Sequence, residues 1–542
     1  MITGNKSKSW KTLSWITATV LTVPVAVVLW AGLSASGDLF GHLWQTVLPH
    51  YILNTIQLAI TVVVLALVFG VPAAALISHT NILGKRYFRW LLMLPLAMPA
   101  YLVAYLYTDL FDYAGPVQRF LRELFNWQSP ADYWFFDIRT VTGAGVMLAL
   151  VLFPYVYMLA RTAFETQDVN LNRASRTLGL STKQTFFRIT LPLARPAIAI
   201  SATLVLMETL ADFATVQYFA VNTLTTAIYD TWLGYSDLAT ANALASVLML
   251  FVLFTVIAEQ KARSSQRHQS NRVNRQLTVV PLGISGQCFA VAFCGLLVIA
   301  GFLLPLAMLL MMAIEYAETS QLDALLSYGM NSVEVSFYAA TITTVIAILL
   351  ALFKRLHASR LSGVPLQVSG FGYAVPGTVL AMAMLATFGP VDHWINNIAA
   401  ALSWQEPGLI LSGTIFAIVF ALVVRFSAIA NGSIVSGLAQ VPRSIDQAPQ
   451  SLGVPLRRSI LTVHVPILRS AIFSAWLLVF VESMKELPAV LLLRPFNFET
   501  LATSIYQLIS DEMLEQGALG ALLIVVFGLI PIIYLNKSEN KG

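Results

Sequence analysis

Apolar residues in this chain come in long unbroken runs, without the two-residue or three-to-four-residue rhythm that marks elements with one wet face. Runs of about 20 residues, the length that crosses a hydrocarbon layer roughly 30 Å thick, fall near 14–34, 52–77, 89–112, 141–163, 194–220 and 239–258. A second set falls near 284–314, 332–353, 366–388, 409–428, 468–493 and 513–535. The pattern predicts an all-α, polytopic membrane protein of about 12 transmembrane helices, six in each half. Between the sets, Glu259 to Thr278 is polar, basic and without apolar periodicity. It divides the chain into a first transmembrane domain (1–259), a cytoplasmic linker (260–278) and a second transmembrane domain (279–542).

The two sets are copies. Ala174, Gly179, Pro192, Arg195, Glu208 and Asp212 recur as Ala448, Gly453, Pro466, Arg469, Glu482 and Glu486, always 274 residues later. Asn54, Pro99, Thr223, Ile228 and Tyr229 recur as Asn331, Pro376, Thr500, Ile505 and Tyr506, 277 residues later. Because six spans is an even number, the copies run parallel, as in transporters that build one pathway between two repeats.

Composition agrees: 57% of residues are hydrophobic and 11% charged, against about 25% charged in soluble domains. Charge placement sets the orientation. With the N-terminus inside, 27 of the 32 Lys and Arg fall in inside segments, 425–469 among them. Only Arg119, Arg122, Arg139 and Arg494 fall outside, and Lys485 lies within a span. Both termini are therefore expected in the cytoplasm, and the net charge of +5 requires no nucleic acid, only lipid head groups. The first run is too long for a signal peptide and reads as an anchor. Cys288 and Cys294, six apart in an apolar run, lack metal-site spacing and are expected to be buried, inert thiols. The longest outside loop, 113–140, carries Trp127, Tyr133, Trp134, Phe135 and Phe136. It suits an interfacial aromatic belt or, alternatively, a platform for a soluble partner.

Two inside loops are too patterned to be plain connections: NRASRTLGLSTKQTFFRITLPLARPAI (172–198) and DQAPQSLGVPLRRSILTVHVPILRSAI (446–472). In the first, a short helix is expected to end at Gly179 in a left-handed cap, and Pro192 to start the next span. In the second, Pro449 and Pro455 are expected to start or break helices. Both loops resemble the EAA loop of permease subunits of binding-protein-dependent ABC importers: Glu-Ala-Ala, three residues, Gly, nine residues, Ile, one residue, Leu-Pro. Ala174, Gly179, Ile189, Leu191 and Pro192 fit, as do Ala448, Gly453 and Pro466, with four residues in place of three before each Gly. Asn172 and Asp446 stand at the Glu position, Arg173 and Gln447 at the first Ala, and Val463 and Val465 replace Ile and Leu. The resemblance implies the type I importer permease fold, with coupling helices near 172–182 and 446–456 that sit on a cytoplasmic ATPase homodimer. This chain has no G-x-x-x-x-G-K-[ST] segment, and its one Gly-Lys pair, Gly84-Lys85, is followed by Arg86. It is therefore expected not to be an enzyme and to bind no cofactor, ATP and Mg being used by the partner.

Behind each loop, ionisable residues fall inside a span: Glu208 and Asp212, then Glu482, Lys485 and Glu486. Each i,i+4 acidic pair is expected to line one helix face. Carboxylates cost roughly 2.5–3.5 kcal/mol at a bilayer centre, so such residues tend to line a pathway. Four acids suit a hard metal cation, met transiently at Glu208, Asp212, Glu482 and Glu486 and held at no fixed metal site. In the bland alternative, Lys485 and one acid neutralise each other. Segments 208–232 and 482–506 resemble those of the fused ferric-iron permeases, which work with a periplasmic ferric-iron-binding protein at the bacterial inner membrane. Ala214 stands where Gly is expected. Importers of the same build that carry thiamine, polyamines or phosphonates remain an alternative. A proton-coupled secondary transporter is a remoter one, which leaves both patterned loops unexplained.

Overall fold

The structure, a computed structural model, describes residues 5–34, 37–167, 174–175, 177–264, 280–316, 322–357, 359, 361–451 and 454–539. Most of the linker expected at 260–278 lies outside them, as do Asn172 and Gly453. Among the described residues the elements are helices, with one isolated bridge, Thr80 to Val280. Nine helices among the described residues are long and apolar enough to cross a membrane, or up to twelve when three bent pairs count as single spans.

In chain order, spans 1 to 6 are Trp10–Leu33, Leu48–His79, the pair Lys85–Ala97 and Ala100–Phe125, Val141–Glu165, Thr182–Ala211 and Leu238–Ile257. Spans 7 to 12 are Ile284–Glu315, Leu322–Leu356, the pair Val364–Ala374 and Gly377–Ala401, Ile415–Ala439, the pair Ile460–Ile467 and Arg469–Lys485, and Leu514–Tyr534. All twelve apolar runs thus become helices, yet spans 3 and 9 are not straight. They bend by 90° and 114°, and the bends sit at the repeat-matched Pro99 and Pro376. A proline pushes the residue before it out of the helical region, and Met98 and Val375 both take ψ 122°.

Two further expectations change. Pro192 does not start span 5: the helix runs through it from Thr182, with the preceding turn, Phe186–Thr190, widened to a π-helix, which makes room for a ring that lacks a backbone N–H. Pro449 lies inside the helix Ser444–Ser451 and does not break it. Only Pro455 stands at a helix start, its carbonyl accepting from the Ser459 N–H at 3.0 Å.

Helix packing divides the chain into two compact units whose membership crosses the sequence halves. One comprises Met1–His42, Ala227–Met249 and Gln321–Ser504. There span 8 packs on spans 10 and 11, and span 1 lies along span 9; span 1 also meets span 8, the Trp10 ring lying 6.2 Å from that of Phe353, and span 6, the Ser246 hydroxyl donating to the Val28 carbonyl at 2.7 Å. The other comprises Leu43–Thr226, Leu250–Ser320 and Ile505–Gly542. Spans 2 and 4 pack closely in it because Gly70 faces Val156 and Gly145 faces Thr61, where a Cβ would stand 2.6 Å and 2.7 Å from those side chains. Glycine at helix contacts lets backbones approach and gain dispersion contacts that lipid does not oppose. Span 7 joins this unit through Gln287, which donates to the Asn81 carbonyl and accepts from the Leu83 N–H, and the Tyr107 hydroxyl donates to the Ala300 carbonyl at 2.6 Å. In each packed unit, spans 2 to 5 of one repeat take the first span of the other.

Cys294 is buried, but Cys288 is exposed on span 7. Six residues at 100° each place the two thiols well apart around the helix.

Candidate functional site

The acids predicted inside the membrane sit at breaks in spans 5 and 11. Span 5 ends at Ala211, and Asp212 takes ψ 134°. Span 11 ends at Lys485, and Glu486 takes ψ 120°. The chain leaves the helix at the second acid of each pair, so Asp212 and Glu486 do not continue the helix face that carries Glu208 and Glu482. Each starts the next short helix. Asp212 accepts from the Thr215 hydroxyl at 2.9 Å and the Val216 N–H at 3.3 Å, opening Ala214–Tyr218. Glu486 accepts from the Ala489 N–H at 3.3 Å, opening Pro488–Leu493. A carboxylate at a helix start satisfies N–H groups that have no partner within the helix.

Beyond each break the backbone returns to its own repeat through matched contacts. The Asn54 amide donates to the Asn222 carbonyl at 2.9 Å and the Thr55 hydroxyl accepts from the Leu224 N–H at 3.1 Å. The Asn331 amide donates to the Glu499 carbonyl and the Ser332 hydroxyl accepts from the Leu501 N–H, both at 2.8 Å. The repeat match at Asn54 and Asn331 is therefore a backbone anchor.

The second repeat adds a cation. Arg425, placed by its charge in an inside loop, lies within span 10, buried, with its Nε 3.0 Å from Glu486 Oε2 and its Nη1 donating to the Val375 carbonyl at 3.1 Å. It joins span 10 to the bend of span 9 and the break of span 11. Glu482 also has a cationic neighbour, Lys485 Nζ at 3.4 Å, as the alternative of mutual neutralisation anticipated. Among the described residues, no group of three or more His, Cys, Asp or Glu is placed to hold a metal.

In the first patterned loop, Gly179 has φ +80° and is open on all sides, the left-handed turn expected of it. Ala174 precedes it on an exposed helical turn, and Ser181 caps the next helix with Gln184. In the second loop, Asp446 is buried. Its Oδ2 accepts from Arg355 Nε at 2.7 Å and its Oδ1 from His464 Nε2 at 3.0 Å. Ala448 lies on the same short helix, and Pro466 sits just before the 68° bend of span 11. Sequence reading missed Arg355, Arg425 and His464. Arginine near an apolar run reads as a boundary, and none of the three recurs in the other repeat.

The aromatic loop 113–140 forms the helix Pro116–Phe125 and a capped turn at Pro130–Asp132. Phe125, Trp127 and Tyr133 stack with centroids 4.8 Å and 4.6 Å apart. The backbone N–H groups of Ser129 and Gln128 hold the Asp132 carboxyl below its usual pKa.

Bent and broken apolar spans, duplicated in parallel, with a patterned loop before the broken span of each copy, define a membrane permease subunit and not an ATPase. The chain belongs to the binding-protein-dependent transport system inner membrane components, whose family model matches residues 66–267. It is 26% identical over 515 residues to the Fe(3+)-transport system permease protein FbpB 2 of Haemophilus influenzae, covering 94% of this chain and 93% of that one. It is 25% identical to the ferric transport system permease protein FbpB of Actinobacillus pleuropneumoniae, covering 92% and 74%. A molybdenum transport system permease protein, ModB of Escherichia coli, is 32% identical over 180 residues, 33% of this chain and 72% of that one. The chain is thus a multi-pass inner-membrane permease subunit of an ATP-driven importer, and a binding protein and an ATPase are its partners. A proton-coupled secondary transporter is set aside.

Proposed function

We propose that this permease carries ferric iron, delivered by a periplasmic ferric-iron-binding protein, with both chain termini in the cytoplasm and an ATPase homodimer bound inside. The observation that carries the substrate is the extent of similarity: the two ferric relatives match more than nine-tenths of this chain, the molybdenum relative a third of it. The loops near 172–182 and 446–456, with Asn172, Ala174 and Gly179, and Asp446, Ala448 and Gly453, act as coupling helices on the ATPase, the buried Asp446 holding its helix from the inner side. Pro192 and Pro466 follow in the helices that carry the motion into the membrane. Glu208 and Glu482, on helical backbone beside the breaks, meet the passing cation. Asp212, Lys485 and Glu486 hold the shape of the pathway around them. The chain itself binds no nucleotide, the ATP and Mg being used by the ATPase.

Uptake of radiolabelled ferric iron by iron-starved cells, with and without the chain, tests this reading. Uptake should vanish on deletion and be competed by unlabelled Fe(III), but not by molybdate, thiamine, putrescine or a phosphonate. Iron uptake that survives deletion while another solute's uptake collapses sinks the substrate assignment and leaves the importer class intact.

A further inference from the structure

Arg355 is the last basic residue of span 8, and its guanidinium is spent on the end of span 10 and the start of the second patterned loop. Nε donates to Asp446 Oδ2 at 2.7 Å. Nη2 donates to the carbonyls of Val441 at 2.8 Å and Pro442 at 3.3 Å, and Nη1 donates to the Leu438 carbonyl. Those carbonyls end span 10 and lead into the helix Ser444–Ser451. Asp446 in turn accepts from His464 Nε2, and His464 Nδ1 meets the Ser459 carbonyl at 3.2 Å, where the chain turns toward span 11. One planar fork thus ties span 8, the end of span 10 and the loop helix together, and Asp446 passes the tie to span 11. Asp446 and His464 are buried, so the pairing is shielded from salt and water, and a fork with five fixed donors allows little play.

The first repeat lacks all three members. At the offsets of 277 and 274, it carries Ser78 for Arg355, Asn172 for Asp446 and Thr190 for His464. A charged network confined to one copy of a duplicated motif is not required by the fold that both copies share.

We propose that Arg355 is a positioning residue that fixes the second coupling helix to spans 8 and 10, so that motion at the ATPase reaches the second repeat through this clamp. The proposal rests on the coupling reading of the loop. The matching positions of the first repeat carry no charge, and the two inputs to the pathway are unequal by construction.

The test uses the full transporter in proteoliposomes, with its ATPase and binding protein, reading ATPase co-purification, ATP hydrolysis and uptake per ATP hydrolysed. Arg355→Gln should keep the ATPase bound but lower uptake per ATP by about tenfold, within the range of coupling substitutions. Arg355→Lys, which keeps the charge but not the fork, should restore part of it. Should Arg355→Gln fail to fold, the triple change Arg355→Ser, Asp446→Asn and His464→Thr installs the first repeat's residues and leaves no charge unpaired. It should assemble and show the same loss. Uptake per ATP within about twofold of wild type in either form overturns the clamp. The underlying reading is checked separately by disulfide cross-linking from Ser444→Cys to the ATPase, in a chain with Cys288→Ser and Cys294→Ser. Without a cross-link the coupling reading itself falls. With a cross-link and unchanged uptake per ATP, only the clamp does.

Discussion

The two repeats break the same helix at the same place with different chemistry. In the first, Asp212 is held by the Thr215 hydroxyl and the Val216 N–H. In the second, Glu486 is held by the Ala489 N–H and by Arg425. The partner across the break has changed as well. Gly377 faces Glu486, and a Cβ there would stand 2.6 Å from Oε1; its match in the first repeat is Ala100, and the matching acid is the shorter Asp212. A methylene gained on the acid accompanies a methyl lost opposite. Both copies keep the break itself, which identifies it as the feature the duplicated fold needs, while the residues that stabilise it have drifted.

The largest separation of the two breaks is expected from removing charge. Arg425→Met leaves Glu486 buried without its cation and should destabilise the protein by about 3–5 kcal/mol. Asp212→Ala removes a cap and should cost about 1 kcal/mol. Unfolding of the purified chain in detergent measures both, and equal losses would mean the repeats are not held differently. Next, Gly377→Ala should cost about 1–3 kcal/mol by overpacking. The same change in a Glu486→Asp background should cost at least about 0.5 kcal/mol less, and an additive double mutant would show that acid length and methyl do not compensate. The smallest effect concerns the start of the last span in each repeat. Asp237 accepts from the Thr240 N–H at 3.0 Å and from its hydroxyl, and these bonds, the hydroxyl foremost, hold its carboxyl below the usual pKa. In the second repeat the residue just before the last span, which starts at Leu514 as the first repeat's starts at Leu238, is Met513. A depressed folded pKa means the stabilisation is complete above the ordinary carboxylate value of about 4 and fades as pH falls through the folded value. Asp237→Ala should therefore cost about 1 kcal/mol near neutrality and progressively less in acid. Met513→Asp should slow hydrogen exchange at the start of span 12 at pH 7 and lose that protection below the carboxylate range.

Much of the fold was legible because lipid imposes one rule: apolar runs of sufficient length become helices. All twelve runs obeyed it, and the constant offsets disclosed the duplication. Length and hydropathy do not register direction, so the bends at Pro99 and Pro376 passed as straight spans although these prolines are among the best repeat matches. The breaks carried local signals too: Pro488 two residues after Glu486, and Thr215 three after Asp212, are residues that begin helices. Their apolar surroundings concealed them. Arg425 and Arg355 were illegible for another reason. Their partners lie 61 and 91 residues away in sequence, and only packing brings such groups together. That the first span of each repeat would pack with the other repeat leaves no mark in either repeat's own sequence.

The placement of span 1 along span 9 also sets a timetable for synthesis. Span 1 leaves the ribosome before span 9, whose packing surface is made roughly 350 residues later, about 18–70 s at translation rates of 5–20 residues per second. Through that interval span 1 keeps bare in the bilayer the face that span 9 will cover, span 6 with its Ser246 contact arriving only part of the way through, and is exposed to mispairing and to membrane proteases. Its uninterrupted apolar run lets it wait.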